Sequence, residues 1–233
     1  MPQKTQIRAL FDHIAPDYDR LNRLMSLGLD ESWRRKAIRK LCRDGCPRRV
    51  LDVASGTADF TMDAARQLAD SSQVVGVDIS EQMLAVGRNK VKKAGLQDKV
   101  ILQVADAENL PFDDASFDSV TVAFGVRNFE DLPRGLAEMC RVLRPGGKAV
   151  ILELSYPDSR FLFWLYKLYA VRLLPVVCGL LSGDKEAYRY LPASILRFPK
   201  PPHFIPMLKQ AGFQSVTVRS FTFGVCRMYV AGC

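Results

Sequence analysis

Between residues 48 and 155 the chain alternates short apolar runs with stretches of helical spacing, joined by turns. Arg49-Val50-Leu51-Asp52-Val53 is the first run, Ser55-Gly56-Thr57 its turn and residues 59–68 its helix. Val74-Val75-Gly76-Val77-Asp78 comes next, followed by a helix over 81–93. Further strands are predicted at 100–104, 117–124 and 149–154, with a helix over 132–143 that Pro145-Gly146-Gly147 stops. Strands too short and apolar to be solvent-facing, alternating with helices, demand right-handed βαβ units and a parallel sheet covered on both faces. The expected fold class is therefore α/β.

The flanks do not keep this rhythm. The first forty-odd residues read as helical, with Asp30 and Glu31 ahead of Trp33, Ile38 and Leu41 and a stop at Gly45 and Pro47. After Ser155 come aromatic helices, a Pro-rich connection at Pro199, Pro201 and Pro202, and a helix over 203–211. Residues 213–221 and 225–230 read as a closing hairpin around Gly224. A length of 233 residues suits one domain with a decorated edge. Its expected parts are a helical N-terminal cap (1–47), a core (48–155), a helical insertion (156–212) and a C-terminal hairpin (213–233).

Composition narrows the class of partner. Lys and Arg outnumber Asp and Glu by 33 to 25, a net charge of +8 that favours nucleic acid or an anionic membrane surface. No basic run is interleaved with base-stacking aromatics, which argues against nucleic acid. The six cysteines form no framework and no zinc spacing, and His13 and His203 lie far apart, so no metal site is expected. Scattered cysteines without a framework, and no apolar signal core in the first residues, fit an expected reducing cytoplasm. The apolar stretch 161–181 carries Lys167, Arg172 and Pro175, which excludes a bilayer span.

In an open parallel sheet ligands bind at the carboxyl ends of the strands, where the connections diverge. Three features fall there. The first is Asp52-Val53-Ala54-Ser55-Gly56-Thr57, where Gly56 lets backbone approach a ligand and the next helix offers unpaired N–H groups. Without GxGxxG, this loop does not favour a dinucleotide. The second is Asp78, ending the second strand, an acid suited to ribose hydroxyls; Ser80 is the better helix cap. The third is Asp106-Ala107 after the third strand, where a carboxylate can accept from an adenine amino group or cap a turn.

LDVASGTADF, VVGVDIS, ADAENLPFDDASFD and RVLRPGGKAVILEL resemble the successive motifs of class I methyltransferases. The resemblance implies S-adenosylmethionine as cofactor, with Asp52, Gly56, Thr57, Asp78, Asp106 and Ala107 expected to bind it. It also implies a Rossmann-like, mostly parallel seven-stranded sheet with an antiparallel C-terminal strand. Ala58 stands where many members have a second Gly, and a right-handed helical conformation is expected there.

Three further segments, FDHIAPDYDRLNRLMSLGLDESWRR, AFGVRNFED and EAYRYLPASILRFP, resemble the ubiquinone/menaquinone biosynthesis C-methyltransferases over nearly the whole chain. That family methylates a ring carbon of a polyprenyl quinol, and demethylmenaquinol is the expected acceptor, with a benzoquinol as alternative. Another lipid acceptor, or a non-catalytic S-adenosylmethionine-binding module, is the competing reading. The resemblance points to Arg127 and Asn128 as catalytic, Arg127 stabilising a phenolate or else pairing with Glu130 or Asp131. Tyr188 and Tyr190 would bond a quinol oxygen or pack the insertion; Tyr18 and His13 are weaker candidates. The aromatic stretch 161–169 suits a prenyl tail and, with the positive charge, peripheral contact with the inner face of an anionic membrane. Oligomeric state, a homodimer included, stays open.

Overall fold

A computed structural model describes residues 3–42, 47–169 and 185–233, apart from the side chains of residues 21, 24 and 185–189. Helices α1 (Lys4–Ile14), α2 (Tyr18–Ser26) and α3 (Leu29–Leu41) precede the sheet. Then β1 (Arg49–Val53), α4 (Asp59–Gln67), β2 (Gln73–Asp78), α5 (Glu81–Lys93) and β3 (Val100–Val104) run in alternation. β4 (Phe117–Ala123), α6 (Leu132–Arg141) and β5 (Leu143–Leu154) complete the core, and α7 (Arg160–Lys167) follows. Two more helices, Lys185–Arg197 and Pro201–Gln210, lead into β6 (Ser215–Phe221) and β7 (Cys226–Gly232).

The sheet has seven strands in the order β3-β2-β1-β4-β5-β7-β6, with β7 antiparallel to both neighbours and every other pairing parallel. From β1 the chain winds outward through β2 to β3, then returns to place β4 on the other side of β1. The connections diverge between β1 and β4, which opens a crevice at their carboxyl ends.

Successive residues of a buried strand feed opposite faces. Leu51, Val53, Val75, Val77 and Ile151 join one core with Leu132, Leu136 and Met139 of α6 and with Phe204 and Leu208. Val50, Val74 and Val150 join the other, against Trp33, Ala37 and Ile38 of α3 and Ala64 and Ala65 of α4. Apolar pressure on both faces explains why these strands carry so few polar residues.

The structure departs from the sequence pattern in two places along the core. Pro145-Gly146-Gly147 lies inside β5, which starts at Leu143, rather than between a helix and a strand. The register against β4 jumps from Phe117–Leu143 to Ser119–Lys148, so the turn-forming residues make an irregularity in a paired strand. Ala58 has φ 66° and ψ 22°, the left-handed region, not the right-handed conformation expected of it. It is fully buried, and its Cβ packs at the point of closest approach to Gly87, so packing holds a conformation that costs Ala about 1–2 kcal/mol.

Candidate functional site

The crevice contains a cavity whose floor is the loop after β1. Ala54 and Gly56 both have φ near +54°, which folds the loop back and turns the Gly56 N–H toward β2. That N–H donates to Asp78 Oδ2 at 2.8 Å, and the Ser80 N–H donates to Asp78 Oδ1 at 2.9 Å. Ser80 itself caps α5, accepting from the Met83 N–H at 3.1 Å, which frees Asp78 from that task. Burial pushes the Asp78 carboxyl above its usual range, and the backbone donors pull it back.

On the opposite wall, Asp106 accepts from the Glu108 N–H at 2.9 Å and from Lys4 Nζ at 2.7 Å. Lys4 Nζ also lies 2.7 Å from Glu108 Oε2. Ile79, Met83, Ala105, Ala107 and Phe129 give the cavity apolar walls, and Ile7 and Phe11 of α1 cover it. Asn128 reaches it from beyond β4. Of the residues singled out from the sequence, Gly56, Asp78, Asp106, Ala107 and Asn128 therefore share one cavity.

Asp52 and Thr57 do not line it. Asp52 is buried beneath the loop, accepting from Thr61 Oγ1 at 2.5 Å and Thr121 Oγ1 at 3.0 Å. Loss of water raises its pKa to about 7 despite these donors. Thr57 is buried and its hydroxyl donates to Asp19, while Lys90 bridges Asp19 and Asp59. This cluster ties α2 to the loop. Lys4, Glu108 and Asp19 were not identified from the sequence, because each acts across a separation that no local pattern encodes.

A second cavity adjoins the first, and Tyr18 and Phe124 line both. Phe124 directly follows β4 at φ 60°, a left-handed conformation, and its half-buried ring packs edge-on against Trp33 (ring centroids 6.2 Å apart). The second cavity is walled by Asn22 and Met25 of α2, Asp30 and Arg34 of α3, and Tyr166 of α7. Arg127 also lines it, as do Leu191 and Ile195 of the Lys185–Arg197 helix. Burial raises the Tyr18 hydroxyl and pushes Tyr166 up to about 12, so both phenols stay protonated.

Arg127 is buried in a short turn after β4. Its Nη1 contacts Glu153 Oε1 at 2.7 Å and the Phe124 carbonyl, its Nε donates to Ser194 Oγ at 3.3 Å, and its N–H donates to Glu153 Oε2 at 3.1 Å. Its ionic partner is thus Glu153 of β5, not Glu130 or Asp131. Asp131 instead caps α6, accepting from the Arg134 N–H at 3.1 Å. Tyr190 donates to Asn128 Oδ1 at 2.8 Å, joining the insertion to the turn. Tyr188 falls in the same helix, and its side chain lies outside the described residues. His13 is exposed near the end of α1 and lines neither cavity. Among the described residues no group of three His, Cys, Asp or Glu side chains could hold a metal ion.

The sequence pattern of the ubiE/COQ5 methyltransferase family matches residues 2–232. A demethylmenaquinone methyltransferase of Bacteroides fragilis is 47% identical over 226 residues, covering 97% of this chain and 91% of that protein. A ubiquinone/menaquinone biosynthesis C-methyltransferase of Geobacter sulfurreducens is 48% identical over 224 residues, covering 96% and 87%. Among solved structures, the [4+2]-cyclase SpnF superposes with a TM-score of 0.72 at 16% identity, covering 99% of this chain and 97% of that one. A SAM-dependent methyltransferase from Aquifex aeolicus superposes with a TM-score of 0.60 at 18% identity, covering 84% and 88%. These structural matches establish the Rossmann-like fold.

Proposed function

Because the chain belongs to the ubiE/COQ5 methyltransferase family, we propose that it methylates a ring carbon of a polyprenyl quinol, with demethylmenaquinol as the acceptor. The observation that carries this reading is the pair of cavities meeting at Tyr18 and Phe124, one suited to a nucleoside and one to an aromatic acceptor. S-adenosylmethionine is the cofactor, and it supplies an electrophilic methyl group on a sulfonium.

The first cavity fits that cofactor by its donor set. Each Asp78 oxygen holds one backbone donor and keeps a lone pair for a ribose hydroxyl. Asp106 receives the adenine amino group, with Ala107 and Met83 against the ring. Gly56 brings backbone close to the ligand. Thr57 and Asp52 hold the loop from behind and beneath. In the second cavity the buried Arg127 guanidinium stabilises a phenolate, which raises electron density on the neighbouring ring carbon. Tyr190 holds Asn128 in the wall of the first cavity, which fixes that side of the site.

The prenyl tail leaves across α7. There Phe161 is 67% and Trp164 59% exposed, with Leu165 and Leu168 beside them. Arg160 and Lys167 flank this apolar strip. A basic-flanked aromatic face suits a lipid headgroup region, which supports a second cavity that works at the surface of an anionic membrane. No described helix is long and apolar enough to cross a membrane.

The test is methyl transfer from labelled S-adenosylmethionine to reduced demethylmenaquinone and, in parallel, to a demethylated benzoquinol, with oxidised acceptors as controls. Transfer to the reduced naphthoquinol alone supports the reading. Transfer to the benzoquinol alone moves the acceptor, and transfer to oxidised forms removes the phenolate role of Arg127.

A further inference from the structure

A quinol ring carbon attacks the methyl group once the neighbouring hydroxyl has given up its proton, so some group beside that hydroxyl must accept it. Among the described residues lining the second cavity there is no histidine, and the single carboxylate is Asp30. The arginines there have no lone pair to offer, and the buried phenols are already protonated. We propose that Asp30 is the proton acceptor and that the Ser26 hydroxyl passes the proton to it. This rests on the quinol reading above.

The geometry suits the task. Asp30 sits in the first turn of α3, 8% exposed. One of its oxygens pairs with Arg34 one turn on, whose Nε reaches Asp63 of α4 at 2.9 Å. Arg34 supplies the positive charge a buried carboxylate needs. The other oxygen, Oδ1, accepts from Ser26 Oγ at 2.5 Å. Ser26 lines the same cavity, and its oxygen accepts from the Gly28 N–H at 3.2 Å. A hydroxyl has two lone pairs, so one remains for an acceptor O–H. The other titratable groups around this cavity are Tyr18, Arg127, Tyr166 and Tyr169, the last donating to the Met25 carbonyl at 3.1 Å.

The quinol O–H proton moves to Ser26 as the Ser26 proton moves to Asp30. The electron pair of the ring carbon forms the new C–C bond, and the methyl–sulfur bond pair stays on sulfur. The carbon then gives up its hydrogen as a proton to water, and Asp30 returns its proton to the oxygen. One proton is released for each methyl transferred.

The measurement is the pH profile of kcat for the wild-type enzyme and for Asp30→Asn and Ser26→Ala, using reduced demethylmenaquinone. Asp30→Asn should lower kcat about 100-fold or more, the scale of a lost general base, with the cofactor KM little changed. Its remaining rate should climb about tenfold per pH unit as hydroxide takes over the role, and Ser26→Ala should follow the same slope. A kcat for Asp30→Asn within about threefold of wild type overturns the proposal, since a lost general base costs far more. So does a loss with the wild-type pH profile, which marks a structural residue. Should Asp30→Asn not fold, Ser26→Ala with wild-type kcat and profile is enough to overturn it. A wild-type enzyme that methylates no quinol removes the underlying reading instead, and the proposal with it.

Discussion

Arg127 and Asp78 divide the site between structure and chemistry. Arg127 and Glu153 are a buried pair, and removing one partner leaves the other charge uncompensated. Arg127→Ala should therefore lower unfolding stability by about 3–5 kcal/mol, measured by denaturant titration, alongside its loss of turnover. The sequence could not reveal this pairing, because Glu153 stands in an apolar strand and its partner is set by the β4–β5 alignment. Asp78 was legible, since an acid ending the second strand of such a sheet faces the crevice. Asp78→Ala should weaken S-adenosylmethionine binding by about tenfold to about a hundredfold, from the loss of charged hydrogen bonds worth about 1.5–3 kcal/mol. Titration calorimetry would read this, and affinity within a factor of about two would remove Asp78 from the ribose site, since that is well under 1.5 kcal/mol. Asp52 shows the converse. It stands in one sequence motif with Gly56, yet its place within β1 puts it under the loop rather than in the cavity.

The elements of the core were legible because period and punctuation agree: short apolar strands of five to seven residues in β1 to β4, each closed by a turn signal. Pro145-Gly146-Gly147 misleads for a physical reason. The same residues that end a helix also suit an irregularity in a strand, and only pairing with β4 decides between them. The second cavity was hardly legible, since its walls come from α2, α3, α7 and the Lys185–Arg197 helix, and no local pattern announces that they converge. The role of α7 is testable at this scale. Phe161→Ser with Trp164→Ser should reduce sedimentation with anionic vesicles by about tenfold or more, because both side chains lose the apolar burial they would gain in lipid. Activity on a short-tailed quinol should stay near wild type. Equal loss on the short-tailed acceptor would assign α7 to the fold of the cavity instead.

Across the whole molecule, one buried group gives stability a readable pH dependence. Asp52 holds its proton up to about pH 7 in the folded state, whereas the unfolded chain releases it in the ordinary carboxylate range. Between those limits the folded protein binds the extra proton, so this residue makes stability fall as pH rises, by at most about 1.4 kcal/mol per pH unit. Above about pH 7 the effect is level. Thr121 Oγ1 has the Leu51 carbonyl at 3.3 Å as a second acceptor, so Asp52→Asn should be accommodated. The difference in unfolding free energy between variant and wild type should widen from mildly acid to neutral pH. A constant difference would mean that Asp52 is already ionised in the folded protein.

The first helix contributes Lys4, Ile7 and Phe11 to the wall of the nucleoside cavity, with Lys4 fastened to Asp106 and Glu108. One of the two salt bridges of Lys4 is to Asp106, the residue proposed for the adenine amino group, so that carboxylate serves the helix and the cofactor at once. Cofactor exchange is thus tied to the amino-terminal helix, 11 residues with no part in the methyl-transfer chemistry itself.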